Sequence, residues 1–405
     1  YRPFAGRDAL EVGVRLGRFA RHRPLHVERL LLTPIGLRNG TRREAQSTYA
    51  RQKQACWRYL ICMKILQMNN YHYERGGSDV IYLRTGALLS SAGHEVKFFS
   101  VGDPEALQTS EEVFFVDPPN FRASLFSRLL NVPRFLYSRE SLSRLDALLR
   151  SWRPDVAHLH IVYGRLTSSV FAILRKHHIP VVMTLHEYRL LSPAYLLLDS
   201  NNEICEDCAK GQYIRCVLKR CVHQSLAESM VAALECRFRD TFFPPSSVVH
   251  HYIAVSEFVK AKHEEYRPRL SDKITVIENF VEVAAARPHG LDVPTDFVFL
   301  GRLSTEKGVH FLTSLFSEWS EYNLTIIGDG PLRAELELIR DSSNATNIQF
   351  VGSLPRAAAH DRVRTSRFLV APSLCYETFG LVVAEALALG TPAIVPQGGA
   401  LEELV

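Results

Sequence analysis

From Met63 onward, short runs of aliphatic and β-branched residues alternate with helix-length amphipathic stretches, and the alternation occurs twice along the chain. Strands separated by helices must be joined by crossovers, so the pattern predicts parallel sheets covered by helices rather than hairpins or a bundle. In the first series the expected strands are Lys64 to Met68, Val96 to Ser100, Val156 to His160, Val181 to Leu185 and Tyr252 to Val255, with helical stretches such as Asp79 to Ser91 and Leu166 to His177. In the second they are Phe297 to Leu300, Leu324 to Ile327, Ile348 to Val351, Phe368 to Ala371 and Ala393 to Val395. Pro288, Gly290 and Pro294 break any regular pattern between the two series, which makes 281–295 the linker between domains at 63–280 and 296–405. The fold expected is α/β, with two doubly wound Rossmann-like domains facing a central cleft.

A length of 405 residues suits two domains of ordinary size. With 46% hydrophobic and 22% charged residues the chain lies outside the collagen-like, coiled-coil and disordered classes. Charged residues interrupt every apolar run before it reaches the ~18–20 residues of a membrane span, so a cytoplasmic location is expected. The net charge of +5 belongs to the start of the chain. Residues 1–62 hold 13 Lys/Arg against 4 Asp/Glu, whereas the remainder holds 35 against 39, a balance that argues against nucleic acid as a partner. The first methionine is Met63, and Ser47 is the only serine before it, unlike a transit peptide. Residues 1–62 are therefore expected to be a leader outside the fold. Leu401 to Val405 stop inside an expected helix with no cap, so the second domain is expected to be incomplete and truncated at the C-terminus.

Three motifs carry chemistry. Gly76-Gly77-Ser78 falls between a strand and a helix, where glycines let backbone amides approach an anion; a plain tight turn is an equal reading. Gly301 to Gly308 places Arg302 and Lys307 on one loop after a strand, a pair of cations suited to two phosphates or else a solvated charge cluster. Pro372 to Ala386 holds Glu377 in a loop and Glu385 on an almost wholly apolar helix, Leu381 to Leu389. A carboxylate buried there needs a hydroxyl or a cation.

With Ala92 to Val96, Pro154 to His160, Thr184 to Glu187 and Gly328 to Pro331, these motifs resemble those of the retaining nucleotide-sugar glycosyltransferases of family four, over residues 63–405. The pair Glu377 and Glu385, with Phe379-Gly380 between them, is its most specific carrier. The resemblance implies a GT-B fold and transfer of a sugar from a nucleotide-sugar donor to a glycan or lipid-linked acceptor, with retention of configuration, in cell-surface polysaccharide or lipid-linked glycan assembly. It implies that Arg302 and Lys307 hold the donor diphosphate with the amides at Gly76 and Gly77. It assigns Glu385 to the ribose hydroxyls, Glu377 to the donor sugar, and His186 to a sugar hydroxyl near the anomeric carbon. No residue acts as a glycosidase-type nucleophile in such a reaction, and no cofactor or metal is required for it. Glu187 stands where many members have Asp.

Cys205-x2-Cys208-x7-Cys216-x4-Cys221 is a dense cysteine insert, read equally as a small structural zinc site or as free thiols. His158 and His160 share one strand face with no third ligand evident, so a core or cleft-lining role is expected of them. Arg122, Arg128, Arg134, Arg139 and Arg144 are interleaved with Phe121, Leu125, Phe126 and Leu129. This is either a surface for peripheral contact with the inner membrane face or an ordinary amphipathic helix, the second favoured about two to one. A nucleotide-sugar epimerase, a phosphorylase-like enzyme or a non-catalytic scaffold on the same fold are the alternatives. An NAD-type oxidoreductase is disfavoured, since Gly76-Gly77 lacks the Gly-x-Gly-x-x-Gly spacing.

Overall fold

β1 (Lys64–Met68) buries four consecutive residues, as a strand does when it lies inside a parallel sheet covered on both faces. The computed structural model describes residues 62–117, 132–282 and 296–405. The leader up to Ile61, the linker from 283, and Arg122 and Arg128 lie outside those residues. Residues 62–404 form one unit that contains two parallel sheets.

The first sheet contains β1, β2 (Glu95–Phe99), β3 (Val156–Leu159), β4 (Val181–Leu185), β5 (His251–Ala254) and β6 (Ile274–Val276), in the order β2-β1-β3-β4-β5-β6. Its crossovers include α1 (Gly77–Ser91), α2 (Arg139–Ser151) and α3 (Ser169–Lys176). Between β4 and β5 come α4 (Ile214–Leu218) and α5 (Leu226–Phe242), and α6 (Glu257–Tyr266) follows β5. Serines cap three of these helices: Ser138, Ser225 and Ser256 accept from the amides of Ser141, Glu228 and Val259. β1 pairs with β2 on one side and β3 on the other, so the loops after β1 and β3 diverge at a topological switch point.

The second sheet contains β7 (Asp296–Leu300), β8 (Asn323–Ile327), β9 (Ile348–Gly352), β10 (Phe368–Val370) and β11 (Ala393–Ile394), in the order β11-β10-β7-β8-β9. The crossovers are α7 (Val309–Glu318), α8 (Arg333–Ser342), α9 (Arg356–Thr365) and α10 (Leu381–Ala388). One core cluster joins Leu312, Phe316, Ile326 and Leu336, and another joins Val298, Leu369, Val383 and Leu389. The switch point lies between β7 and β10, where the loops carrying Lys307 and Glu377 leave the sheet.

The expected strands all form, with no end moved by more than one residue; β6 is additional, because three residues are too few to show a period. Contacts join the two sheets directly. Ser256 Oγ donates to the Thr378 carbonyl at 2.8 Å, and Thr378 Oγ1 donates to the His186 carbonyl at 3.1 Å. The Glu403 carboxylate accepts the Glu257 and Phe258 amides at 3.0 and 2.5 Å, a negative charge on the first turn of α6. No helix of the described residues is long and apolar enough to cross a membrane.

Candidate functional site

Gly308 has φ 67°, and a Cβ there would run into the carbonyl oxygen of Pro372. The glycine therefore lets the loop after β7 lie directly on the loop after β10, where the Leu374 amide donates to the Glu306 carbonyl at 2.8 Å. This approach brings Lys307 Nζ to 2.6 Å from Glu377 Oε1, which also accepts from Ser373 Oγ at 2.7 Å. Burial works against the Lys307 charge, but the Glu377 carboxylate outweighs it and holds the ammonium above its ordinary pKa. Cys375 beside them is a thiol rather than a thiolate, pushed up to about 12 by burial and then by Glu377.

Across the cleft the end of β4 contributes His186 and Glu187. A cavity of about 140 Å³ is lined by His186, Glu187, Lys307, Cys375 and Glu377 together with Tyr195. Three of the expected site residues, His186, Lys307 and Glu377, thus share one pocket. Arg302 lines a neighbouring cavity of about 410 Å³, whose opposite wall is the segment holding Asp199, Asn202, Cys221, His223 and Gln224.

Glu385 and the two glycines stand elsewhere. Arg356 Nη2 donates to Glu385 Oε1 at 2.6 Å, and His360 Nε2 lies 3.5 Å from its other oxygen. Of the hydroxyl or cation anticipated for this carboxylate, the fold supplies the cation, from α9. Neither Gly76 nor Gly77 lines the two cavities. A Cβ on Gly77 would stand 3.0 Å from Leu381 Cδ1, so the glycine accommodates the start of α10 as well as opening α1. The first turn of α1 already carries the Asp79 carboxylate, which accepts from Asn69 Nδ2 at 2.8 Å.

Among the described residues no three His, Cys, Asp or Glu side chains form a group fit to hold a metal ion, and the described cysteines are free thiols. Cys208 and Cys216 pack into an apolar cluster with Tyr213, Val217 and Cys236, with Cys221 at its edge, while Cys205 sits 3.3 Å from the Lys219 ammonium. The Cys216 thiol also lies within hydrogen-bond reach of the Cys208 and Cys221 thiols, so three of the four cysteines of the insert stand together. The basic residues considered for membrane contact are partly used within the fold: Arg134 pairs with Glu140, and Arg144 donates to the Val113 carbonyl.

Glu187 has a role that sequence reasoning missed. Burial raises its carboxyl to about 7, with the Arg189 guanidinium opposing and the Glu235 carboxylate reinforcing the shift. Such a group is neutral in both states at low pH; as pH rises the unfolded chain ionises first, so folding stability is lost through the interval up to about pH 7. Glu187→Gln is expected to abolish that loss, leaving the variant more stable than the parent by up to about 3 kcal/mol at about pH 8. Urea unfolding of both chains from about pH 5 to about pH 8 checks this; parallel slopes would show a freely ionised carboxylate.

Two parallel sheets whose carboxyl-end loops share one cleft define the GT-B class of glycosyltransferase fold. The model of Glycosyltransferase Family 4 matches residues 75–285, more than half of the chain, and that of Glycosyl transferases group 1 matches 287–405. The chain belongs to glycosyltransferase family 4. Among curated relatives, the glycogen synthase of Mycobacterium tuberculosis (strain H37Rv) is 29% identical over 266 residues, 63% of this chain and 55% of that protein. A GDP-mannose-dependent phosphatidylinositol dimannoside mannosyltransferase of the same species (strain H37Ra) is 37% identical over 113 residues, 27% of this chain and 29% of the relative. The chain thus spans about half or less of the length of these relatives. An uncharacterized 42.6 kDa protein in the cps region of Klebsiella pneumoniae is 22% identical over 84% of this chain and 87% of its own. Among solved structures, Anabaena Alr3699/HepE in complex with UDP and glucose superposes with a TM-score of 0.51 at 15% identity, covering 85% of this chain and 83% of that one. Sucrose-phosphate synthase from Thermosynechococcus elongatus does so with a TM-score of 0.54 at 16% identity, covering 84% and 83%.

Proposed function

We propose that the chain transfers a sugar from a nucleotide-sugar donor to an acceptor hydroxyl with retention of configuration, in the assembly of a cell-surface polysaccharide or lipid-linked glycan. The observation that carries this reading is the convergence of Lys307, Glu377 and His186, from three loops and both sheets, on one cavity. A nucleotide-sugar needs positive charge where its diphosphate leaves and polar partners at its sugar. Lys307 supplies the charge in the pocket and Arg302 supplies more beside it. Glu377, oriented by Lys307 and Ser373, is an acceptor for sugar hydroxyls. These fixed cations serve the role that a divalent ion plays elsewhere, so the reaction as proposed uses no metal.

Retention follows when the acceptor hydroxyl attacks from the face that the phosphate leaves and passes its proton to a departing phosphate oxygen. Glu377 is already paired with Lys307, which makes it a poor nucleophile and a good orienting group. The larger cavity, walled by Asp199, Asn202, His223 and Gln224 opposite Arg302, suits a hydroxyl-rich glycan end. The activities named for two relatives, a glycogen synthase and a mannosyltransferase, and the UDP and glucose of the Anabaena complex support this reading.

The test is nucleotide release by the full chain from a panel of nucleotide-sugars, with and without short glycan acceptors, the product anomer being read by NMR. One donor is expected to be consumed, with an α-linked donor giving an α-linked product. Inverted product would remove the retaining assignment, free sugar epimerised at a ring carbon and formed without any need for an acceptor would favour the epimerase alternative, and absence of binding to every donor would sink the proposal.

A further inference from the structure

Gln67 is a polar residue near the carboxyl end of strand β1 and is fully buried. It pairs in register with His158 on β3, and its side chain bridges two imidazoles. Gln67 Nε2 lies 3.2 Å from His158 Nδ1, and His160 Nε2 lies 2.9 Å from Gln67 Oε1. The chain extends at both ends. His158 Nε2 is 2.7 Å from Thr184 Oγ1, and His160 Nδ1 is 2.8 Å from His186 Nε2. The His160 and His186 rings lie nearly parallel, 14° apart. The third partner that His158 and His160 lacked in the sequence is His186, from the end of the adjacent strand.

A buried run of this kind is tolerated only if each contact has one donor and one acceptor. The amide fixes the sense. Its oxygen accepts, so His160 carries its proton on Nε2 and offers Nδ1 as an acceptor, which only an Nε2–H of His186 can fill. Its nitrogen donates, so His158 accepts on Nδ1 and donates from Nε2 to Thr184. An amide carries no charge to stabilise an imidazolium, unlike a carboxylate in the same place. Burial also holds His158 at about 4, His186 at about 3 and His160 well below the ordinary imidazole range.

We propose that Gln67, with His158 and His160, is a positioning relay that fixes His186 as a neutral imidazole protonated on Nε2, so that Nδ1 meets the donor sugar as a hydrogen-bond acceptor. The sugar partner rests on the transferase reading; the tautomer does not. The group that binds there must be a hydroxyl able to donate, not a carboxylate.

The experiment is 15N NMR of the full chain labelled at histidine, with the His186 signals identified by their loss in His186→Gln. The expected result at neutral pH is a protonated Nε2 and an unprotonated Nδ1. In Gln67→Met, with the fold checked by circular dichroism, His186 is expected to exchange between tautomers and kcat to fall about tenfold. An Nδ1–H tautomer or an imidazolium in the parent chain would overturn the relay, as would a Gln67→Met spectrum with His186 unchanged. The expected tautomer in a chain that turns over no nucleotide-sugar would uphold the relay and remove the transferase reading alone.

Discussion

Lys307→Ala is expected to lower sugar transfer and donor hydrolysis by roughly 10²- to 10³-fold, the cost of deleting one preorganised charge partner of a leaving group. The side chain is about one-third exposed, so its ammonium is only partly solvated, and its carboxylate partner Glu377 is 19% exposed. In such a setting the charge is fixed before the donor arrives, and little reorganisation opposes catalysis. Removing it also leaves Glu377 with Ser373 Oγ as its remaining partner, so the carboxylate would repel the donor phosphates that the lysine attracts. The loss is expected in kcat as well as KM. Lys307→Arg keeps the charge but spreads it over a planar fork, and is expected to recover part of the rate. Nucleotide release under single-turnover conditions measures both variants. Turnover by Lys307→Ala within about threefold of the parent would exclude Lys307 from the chemistry.

Much of this arrangement was legible because its signals are local. Runs such as Val181 to Leu185 are both strand-like and apolar enough for burial on two faces, and they appear as β4 without adjustment. Lys307 and Glu377 could be named because each lies in a loop immediately after a strand. That they pair depends on the close approach at Gly308 and Pro372, between positions far apart in the chain, which no periodicity reveals. Glu385 shows the same limit. Its apolar helix announces a need for a partner, while the identity of Arg356 is settled only by how α9 packs beside α10. Gln67 had a weak signal, a lone polar residue within a buried strand. Its meaning comes from the register that sets it opposite His158. The cysteine spacing pointed to a metal as readily as to thiols, and only the fold shows that Cys208 and Cys216 pack in one apolar cluster with Cys221 at its edge.

Arg239→Ala is expected to destabilise the fold by about 3–5 kcal/mol, because a buried charge network loses one member and the others are left uncompensated. Arg239, on α5, is fully buried and is the bulkiest such side chain among the described residues. Its Nη1 donates to the Arg189 carbonyl at 2.9 Å, its Nε donates to Asp240 Oδ1 at 2.8 Å, and its guanidinium lies 5.2 Å from the centre of the Tyr163 ring. Arg189 in turn donates to Glu235 at 3.1 Å, and Tyr213 OH donates to Asp240 at 2.5 Å. These bonds tie α5 to the segment after β4, which walls the larger cavity, so the network sets the shape of that wall from behind. Arg239→Met fills more of the volume and is expected to cost less than alanine, which adds a cavity to the lost bonds. Both should weaken glycan acceptor binding more than donor binding, since Lys307 and Glu377 stand on the other sheet. Urea unfolding gives the stability change, and a loss below about 1 kcal/mol in Arg239→Ala would mean that apolar packing, not the guanidinium, holds the insert in place.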